Sequence, residues 1–99
     1  MTINKTQTGD KITLSLSGRL DTTTAPQLQE VLIPAFDSAE HVELDFSGCA
    51  YVSSAGLRVL LMGAKTAKSK GNKQTLVNVS AEVMEVFEMT GFSGILTII

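Results

Sequence analysis

Ile12, Leu14 and Leu16 alternate with Thr13, Ser15 and Ser17. That period of two predicts a half-buried strand. A polar stretch, Ile3 to Thr8, precedes it, and Gly9-Asp10 between them is a turn signal, so the pair reads as a hairpin with a weak edge strand. Gly18-Arg19-Leu20-Asp21 ends the hairpin. The period then changes. Leu28, Val31, Leu32, Ala35 and Phe36 recur at helical spacing. Thr24 with Gln27 three residues on fits a capping box, and Pro26 suits a first helical turn. Pro34 should end or kink this helix near its last turn.

Val42, Leu44 and Phe46 alternate with His41, Glu43 and Asp45, which predicts another half-buried strand, ended by Ser47-Gly48. Cys49 to Ser54 reads as a short connection. A helix is expected from Ala55 to Lys70, with Leu57, Leu60, Leu61 and Ala64 as its apolar stripe and Gly71-Asn72 as its stop. Val59 and Met62 point away from that stripe and are expected on the surface. Gln74 to Val79 reads as a strand. Ser80 is a cap candidate for a helix whose stripe is Val83, Val86 and Phe87, and Gly91 ends it. Ile95 to Ile99 is expected to be a last strand. The order β-β-α-β-α-β-α-β predicts an α/β fold: a mixed, mostly parallel sheet of about five strands with right-handed crossovers. Strands that alternate are unusual in a sheet buried on both faces, so helices should cover mainly one face.

Composition narrows the picture by exclusion. The chain has 99 residues, and at roughly 100–200 residues per domain it reads as one domain, residues 1–99. Its 43% hydrophobic content and net charge of -2 do not suit a disordered chain. A lone cysteine, Cys49, cannot form an internal disulfide, which fits a reducing compartment. It reads as a packed thiol, and Tyr51 as a core residue. With His41 the sole imidazole, a closed metal site has too few ligands, and a Ser-His-Asp triad would have to use it. No phosphate-loop or dinucleotide fingerprint is present, so no cofactor and no catalysis are expected. Met1-Thr2-Ile3-Asn4-Lys5 lacks an apolar core for a signal peptide, and no run approaches membrane-spanning length. A cytoplasmic location without membrane insertion is the expectation. Arg58, Lys65, Lys68, Lys70 and Lys73 form an acid-free basic stretch, but without interleaved aromatics and in a net acidic chain. It reads as a solvated helix face, with no nucleic acid as partner.

The segment that carries chemistry is Asp45-Phe46-Ser47 followed by Tyr51-Val52-Ser53-Ser54-Ala55-Gly56-Leu57-Arg58. Adjacent serines stand between the end of a strand and the start of a helix. Sites of α/β sheets collect at such strand ends. The first helix N–H groups have no internal partner, and the helix dipole is positive there. A phosphate on Ser54 would be stabilised, although a serine before a helix is also the commonest cap. Asp21, by the same token, reads equally well as a turn residue.

This stretch closely resembles the signature of bacterial STAS domains of the anti-sigma factor antagonist type. Gly18-Arg19-Leu20-Asp21 with Thr22-Thr23-Thr24-Ala25 resembles a second family motif, and Phe87-Glu88-Met89-Thr90-Gly91-Phe92 a third. The resemblance covers nearly the whole chain. It implies a non-catalytic binding module that sequesters an anti-sigma factor serine kinase. Phosphorylation of a serine two positions before the motif glycine, here Ser54, switches such a module off, and a PP2C-type phosphatase restores it. Many members carry Asp where this chain has Ser53, which makes Ser53 an alternative acceptor. The expected docking surface is Asp21, Thr22, Thr23, Ser53, Ser54, Arg58 and Met62. Two rival readings remain open: a STAS subunit of a lipid or anion transport complex, and a weak nucleotide hydrolase.

Overall fold

The computed structural model describes all 99 residues. The polar edge strand β1 (Thr2–Thr8) pairs antiparallel with β2 (Lys11–Leu20) across the Gly9-Asp10 turn. Helix α1 (Ala25–Ala35) leads to β3 (His41–Val52), and α2 (Ser54–Lys70) to β4 (Lys73–Val77). Both β2–β3 and β3–β4 are parallel, giving the order β1-β2-β3-β4. Helix α3 (Ala81–Met89) and a 3-10 turn (Phe92–Gly94) complete the elements.

The alternating strands do what their pattern requires. Ile12, Leu14, Leu16, Val42, Leu44, Phe46 and Leu76 are buried on one face, where Leu28 and Leu32 of α1, Leu57 and Leu60 of α2, and Phe87 of α3 meet them. Phe87 stands edge-on to Phe46, with centroids 6.3 Å apart and planes at 84°. Thr13, Ser15, His41, Glu43 and Asp45 project half-exposed from the other face.

The sheet has four strands, not five. The expected last strand, Ile95 to Ile99, shrinks to one bridge, Leu76 with Ile98. Leu96 extends the 3-10 turn, its N–H bonded to the Phe92 carbonyl at 2.8 Å, and buries its side chain in the core. Only the final residues then lie beside β4, through bonds between Leu76 and the backbone of Thr97 and Ile99.

Strand β3 continues well past Ser47-Gly48. Its register against β2 slips twice, between Ser15 and Ser17 and between Ser17 and Arg19. Each slip puts an extra residue into β3, as β-bulges do. Inward positions then fall at Phe46, Cys49 and Val52, three apart, which hides the strand from a search for period two. Burial also lifts the Cys49 thiol above its ordinary pKa.

The expected capping box of α1 does not form. The Thr24 hydroxyl donates to the Arg19 carbonyl at 2.7 Å and accepts the Asp21 N–H at 2.9 Å, and Gln27 reaches instead to the Met1 carbonyl. Pro34 lies inside the helix, which closes one residue later.

Val59 is buried at 4% exposure, against expectation, and Met62 is half-buried. The buried arc of α2 is Gly56, Leu57, Val59, Leu60, Gly63 and Ala67. At 100° per residue its centre lies roughly 80° from the leucine stripe, toward the small residues. Gly63 is the reason. A Cβ there would stand 2.8 Å from Leu32 Cδ2 and against Gln74 Oε1, so the bare backbone lets α2 settle between α1 and β4. Gln74 is itself buried, its amide donating to the Leu60 carbonyl at 3.0 Å while Oε1 has no hydrogen-bond partner.

Candidate functional site

The parallel strands β2 and β3 stop together, at Leu20 opposite Val52. Asp21 and Ser53 are therefore the next residues on adjacent chains, and the Ser53 N–H donates to the Leu20 carbonyl at 2.8 Å. Register thus brings the two sequence motifs to one edge of the sheet.

Asp21 organises its own loop. Its Oδ1 accepts the N–H groups of Thr23 and Thr24 at 3.0 and 3.1 Å. It also lies 3.2 Å from the Thr24 hydroxyl, and Arg19 Nε stands 3.7 Å from its Oδ2. Hydrogen bonding to Thr24, with smaller help from Thr23 and Arg19, holds the carboxyl below the ordinary aspartate range. The turn reading of Asp21 is thereby met in the geometry. Its result is to display Thr22 and Thr23, both exposed.

The two serines divide their work. Ser53, half-buried with φ -89° and ψ 175°, is the N-cap of α2, and its Oγ accepts the Gly56 N–H at 3.4 Å. Ser54 is the first helical residue. It is exposed, and its hydroxyl makes no hydrogen bond with the rest of the chain. Gly56 packs closely on Leu20, where a Cβ would come within 2.6 Å of Leu20 Cγ. That contact pins the start of the helix to the end of β2.

Arg58 is exposed on the next turn, and none of the chain's three ion pairs involves it. Met62 follows one turn later, half-buried, its carbonyl accepting from Thr66 Oγ1 at 2.8 Å. The edge therefore assembles Asp21, Thr22, Thr23, Ser53, Ser54 and Arg58. Met62 lies at its margin and Val59 is withdrawn into the core.

Sequence reasoning missed one feature of this edge. Tyr51, expected in the core, is 41% exposed, with the Arg19 guanidinium 3.8 Å from its ring centroid. Tyr51 falls on the outward face of β3, and the two bulges bring it opposite Arg19. Neither residue signals this alone. A stacked Arg–Tyr pair is the kind of surface on which partners anchor.

Comparison with known proteins places the geometry in a family. A family profile described as "Mlab, STAS domain" matches residues 3–97. The anti-sigma-B factor antagonist of Bacillus subtilis (strain 168) is 28% identical over 92 residues, covering 93% of this chain and 84% of that protein. The BtrV protein of Bordetella bronchiseptica is 38% identical over 81 residues, 81% of this chain and 70% of its own. Among solved structures, the anti-sigma factor antagonist SpoIIAA in its unphosphorylated form superposes with a TM-score of 0.83 at 19% identity, covering 99% of this chain and 88% of that one. SpoIIAA of Bacillus in its phosphorylated form gives 0.77 at 17% identity, covering 99% and 91%. Over nearly its whole length, this chain belongs to the STAS domain family.

Proposed function

We propose that this chain is an anti-sigma factor antagonist: a cytoplasmic, non-catalytic binding module that sequesters an anti-sigma factor serine kinase and is switched off by phosphorylation of Ser54. The observation that carries the reading is the division of labour at the start of α2. Ser53 holds the cap, and Ser54 presents an unengaged, exposed hydroxyl beside Asp21, Thr22 and Thr23. The curated relative in Bacillus subtilis bears the name of such an antagonist, and SpoIIAA exists in a phosphorylated form.

In this reading the chemistry belongs to the partners. The Ser54 Oγ attacks the γ-phosphorus of a kinase-bound nucleoside triphosphate, the diphosphate leaves, and the hydroxyl proton passes to a kinase base. A PP2C-type phosphatase hydrolyses the ester. The added group carries about -1.5 to -2 charge near neutral pH. At the start of α2 the fold tolerates it, because unpartnered N–H groups and the helix dipole favour an anion. In a docked complex the same charge loses its solvent and becomes costly.

Calorimetric titration of the unmodified and Ser54-phosphorylated proteins against the anti-sigma factor tests this. Phosphorylation is expected to weaken binding at least tenfold, about 1.4 kcal/mol, with the thermal midpoint nearly unchanged. Ser54→Ala should bind normally and resist the kinase. Equal affinity of the two forms would overturn the switch and favour a transport-complex subunit, which needs no phosphoserine. Phosphate found only on Ser53 would move the acceptor by one residue.

A further inference from the structure

We propose that Arg58 is a built-in clamp for a phosphate on Ser54. Modification then withdraws a cation from the docking surface in the same event that adds an anion. The inference rests on Ser54 being the acceptor named above, and it concerns how that site is regulated.

Ser54 and Arg58 are both exposed on α2, four residues apart. At that spacing their Cβ atoms are about 5–6 Å apart on one face of the helix, and an anion N-terminal to a cation is the favourable order. A phosphate presents acceptor oxygens that match the guanidinium fork, so the pair can close with two charge-assisted hydrogen bonds.

Nothing else claims this guanidinium. Helix α2 carries no acidic residue from Ser54 to Lys70, and Arg58 makes no ion pair. The other arginine of this edge is already held: Arg19 stacks on Tyr51 and lies beside Asp21. The remaining cations of α2, Lys65, Lys68 and Lys70, begin two turns beyond Arg58. The free fork near the serines is therefore that of Arg58. Geometry also separates the two hydroxyls. Ser53 is five residues from Arg58, off its face, and its Oγ already serves the cap.

The consequence is a change of sign. With Ser54 unmodified, the pair presents a charge of +1. With a phosphate it presents between about -0.5 and -1, and the guanidinium is occupied. A partner surface that recognises the unmodified edge through a carboxylate on Arg58 loses its contact and meets repulsion at once.

The test needs no partner. Protein carrying phosphoserine at residue 54, installed by chemical synthesis or an expanded genetic code, is titrated and followed by 31P NMR. Arg58→Gln is expected to raise the second phosphate pKa by at least about 0.3 unit, because the neighbouring cation favours the dianion. Arg58→Lys should fall between the two, keeping the charge without the fork. Lys65→Gln should leave the value unchanged. The difference should shrink, without vanishing, in about 1 M salt, because the screening length of roughly 3 Å is close to the contact distance itself. The helix N-terminus is common to every variant, so its own effect cancels in the comparison. Equal pKa values for wild type and Arg58→Gln would overturn the clamp while leaving the switch intact. Failure of the kinase to modify Ser54 would overturn the switch while leaving this titration unaffected.

Discussion

The two ends of α2 are built in opposite ways. At its C-terminal end the stop is fastened to the rest of the chain by Gly71, Asn72 and Lys70. Gly71 adopts the left-handed φ of 70° that a helix stop needs, and the Asn72 N–H closes on the Ala67 carbonyl at 2.7 Å. Asn72 Nδ2 donates to the Phe36 carbonyl at 2.9 Å, and Lys70 pairs with Asp37 at 2.6 Å, so the end is tied to the α1–β3 connection. At the N-terminal end one serine caps, while the Ser54 hydroxyl, the Arg58 guanidinium and the side chains of Thr22 and Thr23 stay free. The contrast teaches where to look for function in a small domain. Internal satisfaction marks stability, and exposed groups held in place by satisfied neighbours mark a surface kept for a partner.

That contrast can be broken most severely from the middle of the helix. Gly63→Val places atoms where Leu32 and Gln74 now sit, and should cost about 3 kcal/mol in urea denaturation. An unchanged midpoint would mean that α2 does not approach the sheet as closely as the structure has it. The next effect separates the serines. Ser53→Ala should lose about 0.5–1 kcal/mol, since its cap bond at 3.4 Å is long, whereas Ser54→Ala should stay within about 0.5 kcal/mol of wild type. The reverse order would show that the cap lies at Ser54.

Asp21 gives a smaller effect, confined to acid. Its carboxyl titrates below the ordinary range when folded, mainly through the Thr24 hydrogen bond. Its contribution to stability is therefore complete above the unfolded pKa, about 3.9, and is lost as pH falls through the folded value. Stability measured against pH should decline more steeply in wild type than in Asp21→Asn below about pH 4. Parallel curves would deny the carboxylate its part in the loop. The least effect belongs to the closed end of α2. Lys70→Met breaks an exposed ion pair and should change stability by no more than about 0.5 kcal/mol, with no change in partner binding.

Much of this protein was legible in one dimension. Strict alternation in Ile12–Leu16 and Val42–Phe46 declares a sheet with one buried face, because the side-chain period of a strand is two. The turn at Gly9-Asp10, the cap at Ser80 and the stop at Gly71 are local chemistry and form where they were expected. The serine pair and the Gly18-to-Asp21 motif could be read as parts of one site without coordinates.

What the sequence left undecided depends on contacts between distant residues. Two bulges in β3 exist only against β2, and they are what sets Tyr51 opposite Arg19. The burial of Val59 follows from Gly63 meeting Leu32 and Gln74, since hydropathy cannot register that a missing Cβ brings two elements together. The fifth strand fails because Leu96 finds a place in the core before the chain can align with β4. Which serine caps and which stands free is decided by the pairing of Ser53 with Leu20, which fixes where β3 ends and α2 begins. Periodicity and capping are properties of neighbours along the chain, so the sequence alone determines them. Register, close approach and the division between two adjacent hydroxyls arise between segments, so only the folded chain decides them.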